Sequence, residues 1–105
     1  MVVDVLGVKY TVKQDDSLKD IGADGLCKLY SKEILYRNVK DVLCGDDPME
    51  VKDLRWKEVI RHELIHAFFH EAGLEAYSMD EVLVDWIAKQ FPKIQSAIEQ
   101  VGEPV

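Results

Sequence analysis

Val59-Ile60-Arg61-His62-Glu63-Leu64-Ile65-His66-Ala67-Phe68-Phe69-His70-Glu71-Ala72-Gly73 is the stretch on which the fold turns. Its apolar residues fall nearly all round a 3.6-residue turn, which marks a buried helix. Upstream, Asp47-Pro48-Met49-Glu50 reads as a helix start: an acid at the N-cap, proline at the first helical position and a glutamate in the first turn. Gly73 supplies the stop, because a left-handed residue after a helix is most often glycine. The two signals predict a helix running to about Ala72. Its middle carries a His, a Glu and a second His, and such groups are costly to bury unless they have partners.

Outward from this helix, the first half of the chain is strand-like. Val5 to Val12 is rich in β-branched and aromatic residues and reads as one strand, broken by Asp15-Asp16-Ser17. Gly22 and Gly25 mark a turn. Leu26–Tyr30 and Glu33–Asn38 then read as a hairpin across the link Ser31-Lys32. After Gly73, Ser78-Met79-Asp80-Glu81 has the form of a capping box and opens a helix to about Gln90. Pro92 should interrupt or restart it, and an amphipathic stretch continues to about Val101. Strands followed by helices indicate an α+β fold. The expected form is a single domain, residues 1–105, with a small antiparallel sheet of about three strands. That sheet should pack on the central helix and on one or two C-terminal helices.

Composition narrows the function. The chain has 105 residues, 48% hydrophobic and 31% charged, which is a globular rather than a disordered balance. Its formal charge is −7, with no basic cluster, so a nucleic-acid partner is not expected. No apolar run suits a membrane span, and the first residues have no secretory pattern, so a cytoplasmic protein is expected. Cys27 and Cys44 are then expected as reduced thiols, and neither belongs to a Cys-x-x-Cys pair of a zinc ribbon.

His62 and His66, four residues apart, share one helix face and can hold one zinc ion between them. Glu63 lies about 100° further round the helix. There it can flank the metal and take a proton from a water that the metal acidifies, which is the chemistry of H-E-x-x-H. A third protein ligand is needed, with the fourth position left open. Glu81, near the start of the following helix, is the first candidate, with Asp80 and Asp85 in reserve. Glu81 is also the closing residue of the Ser78 capping box, and one side chain does not easily serve both. Asp85, one turn beyond Glu81, can accept the second ring N–H of His62 and fix its tautomer. His70 lies about 12 Å along the helix from His62, too far for the same ion, and reads as a rim histidine. Cys44 is a more distant candidate thiolate. Tyr30, Tyr36 and Tyr77 could steady an oxyanion but read first as packing residues. Trp56 and Trp86 read as core anchors, and Lys89 and Lys93 as a solvated face.

His62-Glu63-Leu64-Ile65-His66 followed by Glu81-Val82-Leu83-Val84-Asp85 resembles the gluzincin pattern HExxH…ExxxD. The short chain and the hairpin ahead of the motif helix are similar to small phage and mobile-element metallopeptidases of the ImmA/IrrE and SprT-like groups. The resemblance implies His62, His66 and Glu81 as zinc ligands, Glu63 as general base and Asp85 as a supporting residue. It also implies a sheet-edge strand that binds an extended peptide, for which strand 33–38 is the candidate. The metzincin pattern is excluded, since Phe69 and Ala72 stand where it needs Gly and His. The expected activity is zinc-dependent hydrolysis of a protein or peptide substrate. The alternative is a non-catalytic zinc-binding interaction module that retains the motif.

Overall fold

The computed structural model describes residues 1–38 and 47–102. Within them the fold is α+β. Strands β1 (Val2–Val5), β2 (Val8–Gln14), β3 (Gly25–Lys28) and β4 (Glu33–Tyr36) form one sheet in the order β1-β2-β4-β3. A 3₁₀ helix, Asp16–Ile21, sits between β2 and β3. Three helices follow: α1 (Met49–Glu71), the short α2 (Glu75–Ser78) and α3 (Glu81–Val101).

The stretch expected as one strand, Val5–Val12, is broken at Leu6-Gly7. Leu6 has φ 51° and Gly7 φ 87°, so both central residues of a two-residue turn are left-handed, the geometry that suits strand twist. The Asp4 carboxylate accepts the Gly7 N–H at 2.8 Å and closes the turn. The sheet therefore has four strands instead of three. It is also mixed: β1 and β2 are antiparallel, as are β3 and β4, but β2 and β4 run parallel. A parallel pair needs a crossover, and residues 15–32, carrying the 3₁₀ helix and β3, provide it. This places β4 inside the sheet. The expected edge, strand 33–38, is thus corrected: the edges of the sheet are β1 and β3.

Along β2, Val8, Tyr10 and Val12 turn inward while Lys9, Thr11 and Lys13 stay exposed, the period-two pattern of a sheet covered on one face. Val5, Tyr10, Ile34 and Ala67 form the core, with Cys27 and Leu64 packed against it. Ala67 belongs to α1, so the motif helix lies directly on the sheet. The buried Tyr10 hydroxyl donates to Glu71 at 2.5 Å, and Lys32 pairs with the same carboxylate at 2.8 Å. Lys32 and Tyr10 hold Glu71 below the usual carboxylate range, and burial raises the Tyr10 phenol.

The α1 stop is as expected. Gly73 has φ 79°, and its N–H and that of Leu74 close onto the carbonyls of His70 and Phe69. The α3 start is not. Asp80 is the N-cap, its carboxylate accepting the Leu83 N–H at 3.0 Å, while Ser78 ends the preceding short helix. Nor does Pro92 interrupt α3. A proline inside a helix leaves the carbonyl four residues back without its donor. Here that carbonyl is on Ala88, and Arg61 Nε of α1 donates to it at 2.9 Å. The same bond fastens α1 to α3.

Candidate metal centre

Three side chains converge where α1 faces the start of α3. His62 and His66 project from one face of α1, and Glu81 is the first residue of α3. His62 Nε2 and His66 Nε2 are 3.2 Å apart. Glu81 Oε2 lies 2.9 Å from His62 Nε2, and Glu81 Oε1 lies 3.2 Å from His66 Nε2. These ligand atoms fall within 4.8 Å of one another, so the three residues could hold a metal ion. The spacing suits one: two atoms at 2.0–2.1 Å from a tetrahedral centre are roughly 3.3 Å apart.

The outer nitrogens explain why the inner ones meet. His66 Nδ1 lies 2.5 Å from the Ser78 carbonyl, so it carries the proton, and Nε2 presents a lone pair. His62 Nδ1 lies 3.6 Å from Asp85 Oδ1, a carboxylate that favours the same tautomer. Two imidazole lone pairs and a carboxylate thus point at one place. None of the three can donate to the others in that state, and a cation satisfies all of them. The donor set, two imidazoles and one carboxylate, fits zinc chemistry.

The competition over Glu81 is resolved by the helix start. Because Asp80 caps α3, the Glu81 carboxylate is free to reach the histidines. Asp80 is occupied by that cap. Asp85 stands on the far side of His62, 3.0 Å from Lys89. Lys89, and less strongly His62, keep the Asp85 carboxyl below its usual range. The geometry therefore brings Glu81, and neither reserve acid, to the two facing nitrogens.

Glu63 occupies a separate position. It is 8% exposed, wedged between α1 and β3. A Cβ on Gly25 would stand 2.7 Å from Val59 and 3.1 Å from Glu63 Oε2, so only glycine leaves room for this packing. Burial first, and then the charge of Glu81, push the Glu63 carboxyl up to about 7, against a backbone hydrogen bond at Cys27 that lowers it. Clefts of about 180 Å³ and 220 Å³ open on either side of Glu63. The first is bordered by Gly25, Arg55, His62 and Asp85, the second by Leu26, Cys27, His66, Met79 and Glu81.

Several expected roles move. Trp86 is 57% exposed and is no core anchor; it lines a shallow groove with His62, Glu81 and Lys89. Trp56 is half-buried and packs edge-on against Tyr36. Tyr77 packs on Phe69 and Tyr30 on His70, and no tyrosine among the described residues lines the clefts beside Glu63. Cys27 is a free thiol, pushed up to about 12 by burial and then by Glu63. Cys44 lies outside the described residues. Phe68 is exposed, so the motif helix is not buried all round.

One supporting residue went unread in the sequence. Ser78 is 2% exposed; its Oγ donates to the His66 carbonyl at 2.8 Å while its own carbonyl takes the His66 ring N–H. Its sequence signal was that of a helix cap.

No helix among the described residues is long and apolar enough to cross a membrane. Comparison with protein-family models, curated proteins and solved structures gives no match.

Proposed function

We propose that the chain is a zinc-dependent peptidase of the gluzincin type, acting on a protein or peptide. The observation that carries this reading is the meeting of His62 Nε2, His66 Nε2 and the Glu81 carboxylate, with Glu63 beside them. His62, His66 and Glu81 are the ligands, which leaves a fourth position open for substrate or water. A zinc ion bound there supplies Lewis-acid polarisation of a carbonyl and acidifies the attacking water.

The chain's own residues do the rest. Glu63 takes the proton from the attacking water and delivers it to the leaving amine. Burial holds its carboxyl above the ordinary range, which suits a group that both takes and returns a proton. The Ser78 carbonyl fixes the His66 tautomer, and the Asp85 carboxylate, 3.6 Å from His62 Nδ1, favours the same one there. β3, at an edge of the sheet, borders the Glu63 cleft through Leu26 and Cys27, a placement that suits an extended peptide added as a further strand.

The test is a peptide-library cleavage assay with zinc-loaded wild type and Glu63→Gln. The expected result is amide cleavage by wild type, abolished by chelation and reduced at least about a hundredfold in Glu63→Gln with zinc retained. Full zinc occupancy with no cleavage of any peptide would instead favour the non-catalytic zinc-binding module.

A further inference from the structure

Helix α3 does two things along its length. Its first half packs on α1, with Val84 and Ala88 fully buried. From Phe91 to Gly102 every residue is exposed. The apolar pattern does not stop at that boundary. Val84, Ile87, Phe91, Ile94, Ile98 and Val101 follow one another at alternating intervals of three and four, the spacing of a coiled-coil seam. The last four lie on one exposed face, and Phe91 also joins an apolar groove of about 550 Å³ bordered by Leu6, Phe68, Leu74 and Ile87.

We propose that this face is where a second copy of the chain docks, with the two α3 ends packed antiparallel about a two-fold axis level with Ser96. The stripe is self-complementary in that register. Phe91 stands opposite Val101 of the second copy, and Ile94 opposite Ile98, so each seam layer is apolar on both sides. The positions bordering the seam, Gln90, Gln95 and Ala97, carry no charge. In a chain of formal charge −7, residues 91–101 hold one Lys and one Glu, so two copies meet here without net repulsion. Phe91, Ile94, Ile98 and Val101 are all exposed large apolar residues, and the groove rim adds Leu6, Phe68 and Leu74, so the apolar surface offered extends beyond the helix itself. This surface is independent of the chemistry at His62, His66 and Glu81.

Sedimentation equilibrium from micromolar to about 100 μM protein tests it. Wild type should be dimeric at the upper end, and Ile94→Glu and Ile98→Lys should each be monomeric. An equimolar mixture of the two variants should restore the dimer, because the antiparallel register sets the new Glu against the new Lys while Ile94 and Ile98 still meet in the other layer. Circular dichroism and zinc content, expected unchanged, confirm that the exposed substitutions leave the fold intact. A wild type that stays monomeric throughout overturns the proposal. So does an association that survives either substitution, or a mixture that remains monomeric.

Discussion

His66 and His70 sit one turn apart on the same helix, yet the structure gives them different surroundings. His66 has its Nδ1 held by the Ser78 carbonyl, which turns Nε2 toward His62 Nε2 and Glu81. His70 has its Nδ1 2.6 Å from Glu75 and its ring edge-on to Tyr30. Among the described residues it belongs to no group of ligand atoms close enough to share an ion. The i,i+4 spacing is common to His62–His66 and His66–His70, so spacing alone does not make a ligand pair. What separates them is where the next element returns. After Gly73 the chain folds back so that α2 brings the Ser78 carbonyl, and the start of α3 brings Glu81, to the His66 end.

The largest expected effect breaks one side of this comparison. His66→Ala should abolish stoichiometric zinc binding, while His70→Ala should leave it unchanged, both read by competition with a chromophoric chelator. The loss should exceed the roughly 10–100-fold that removing a supporting partner costs. Equal losses from the two variants would mean that the His70 end also supplies a ligand.

Next in size is the metal-free stability at Glu63. Its carboxyl is raised from 4.5 to about 7 by burial and by Glu81. Below about pH 4.5 it is protonated whether the chain is folded or not. Between about 4.5 and 7 the unfolded chain ionises while the folded chain keeps the proton, so stability falls as pH rises and levels off above about 7. Relative to Glu63→Gln, metal-free wild type should lose about 2–3 kcal/mol across that window. Urea unfolding at pH 4.5 and pH 8 measures it. Zinc should diminish the difference, because a neighbouring cation favours the carboxylate.

Arg61→Met should cost about 1–3 kcal/mol, since it orphans the Ala88 carbonyl that Pro92 already leaves without a backbone donor. Restoring a helical N–H with Pro92→Ala should make the same Arg61 substitution milder. Additive losses in that double-mutant cycle would dissociate the two residues. The smallest effect falls on Ser78, which supports His66. Ser78→Ala removes the Oγ bond to the His66 carbonyl but leaves the Ser78 carbonyl in place. Zinc affinity should fall about tenfold or less, near the lower end for a supporting partner.

The α+β fold was legible in the sequence wherever one signal stood alone. Gly73 had no competitor as a helix stop, and the His62–His66 spacing on a helix puts both rings on one face. The remainder was hidden where two signals overlapped or where the deciding partner is distant in sequence. Ser78 and Asp80 are both good N-caps, and only the fold shows that Asp80 caps and Ser78 supports His66. Leu6-Gly7 sits inside a stretch rich in β-branched and aromatic residues, and a leucine with positive φ has no compositional signature. The continuity of α3 through Pro92 depends on Arg61, some 30 residues upstream. The edge position of β3 follows from a parallel pairing that local pattern does not encode. For the site, the motif residues were readable from spacing; the freedom of Glu81 to reach them was not, because it depends on which residue caps α3.

The most direct test of the central claim is zinc per chain in wild type, by inductively coupled plasma spectrometry after metal-replete purification and exhaustive dialysis. The proposal that His62, His66 and Glu81 together hold one ion predicts one equivalent of zinc. A chain that retains none would contradict it and leave the facing imidazoles as packed core groups.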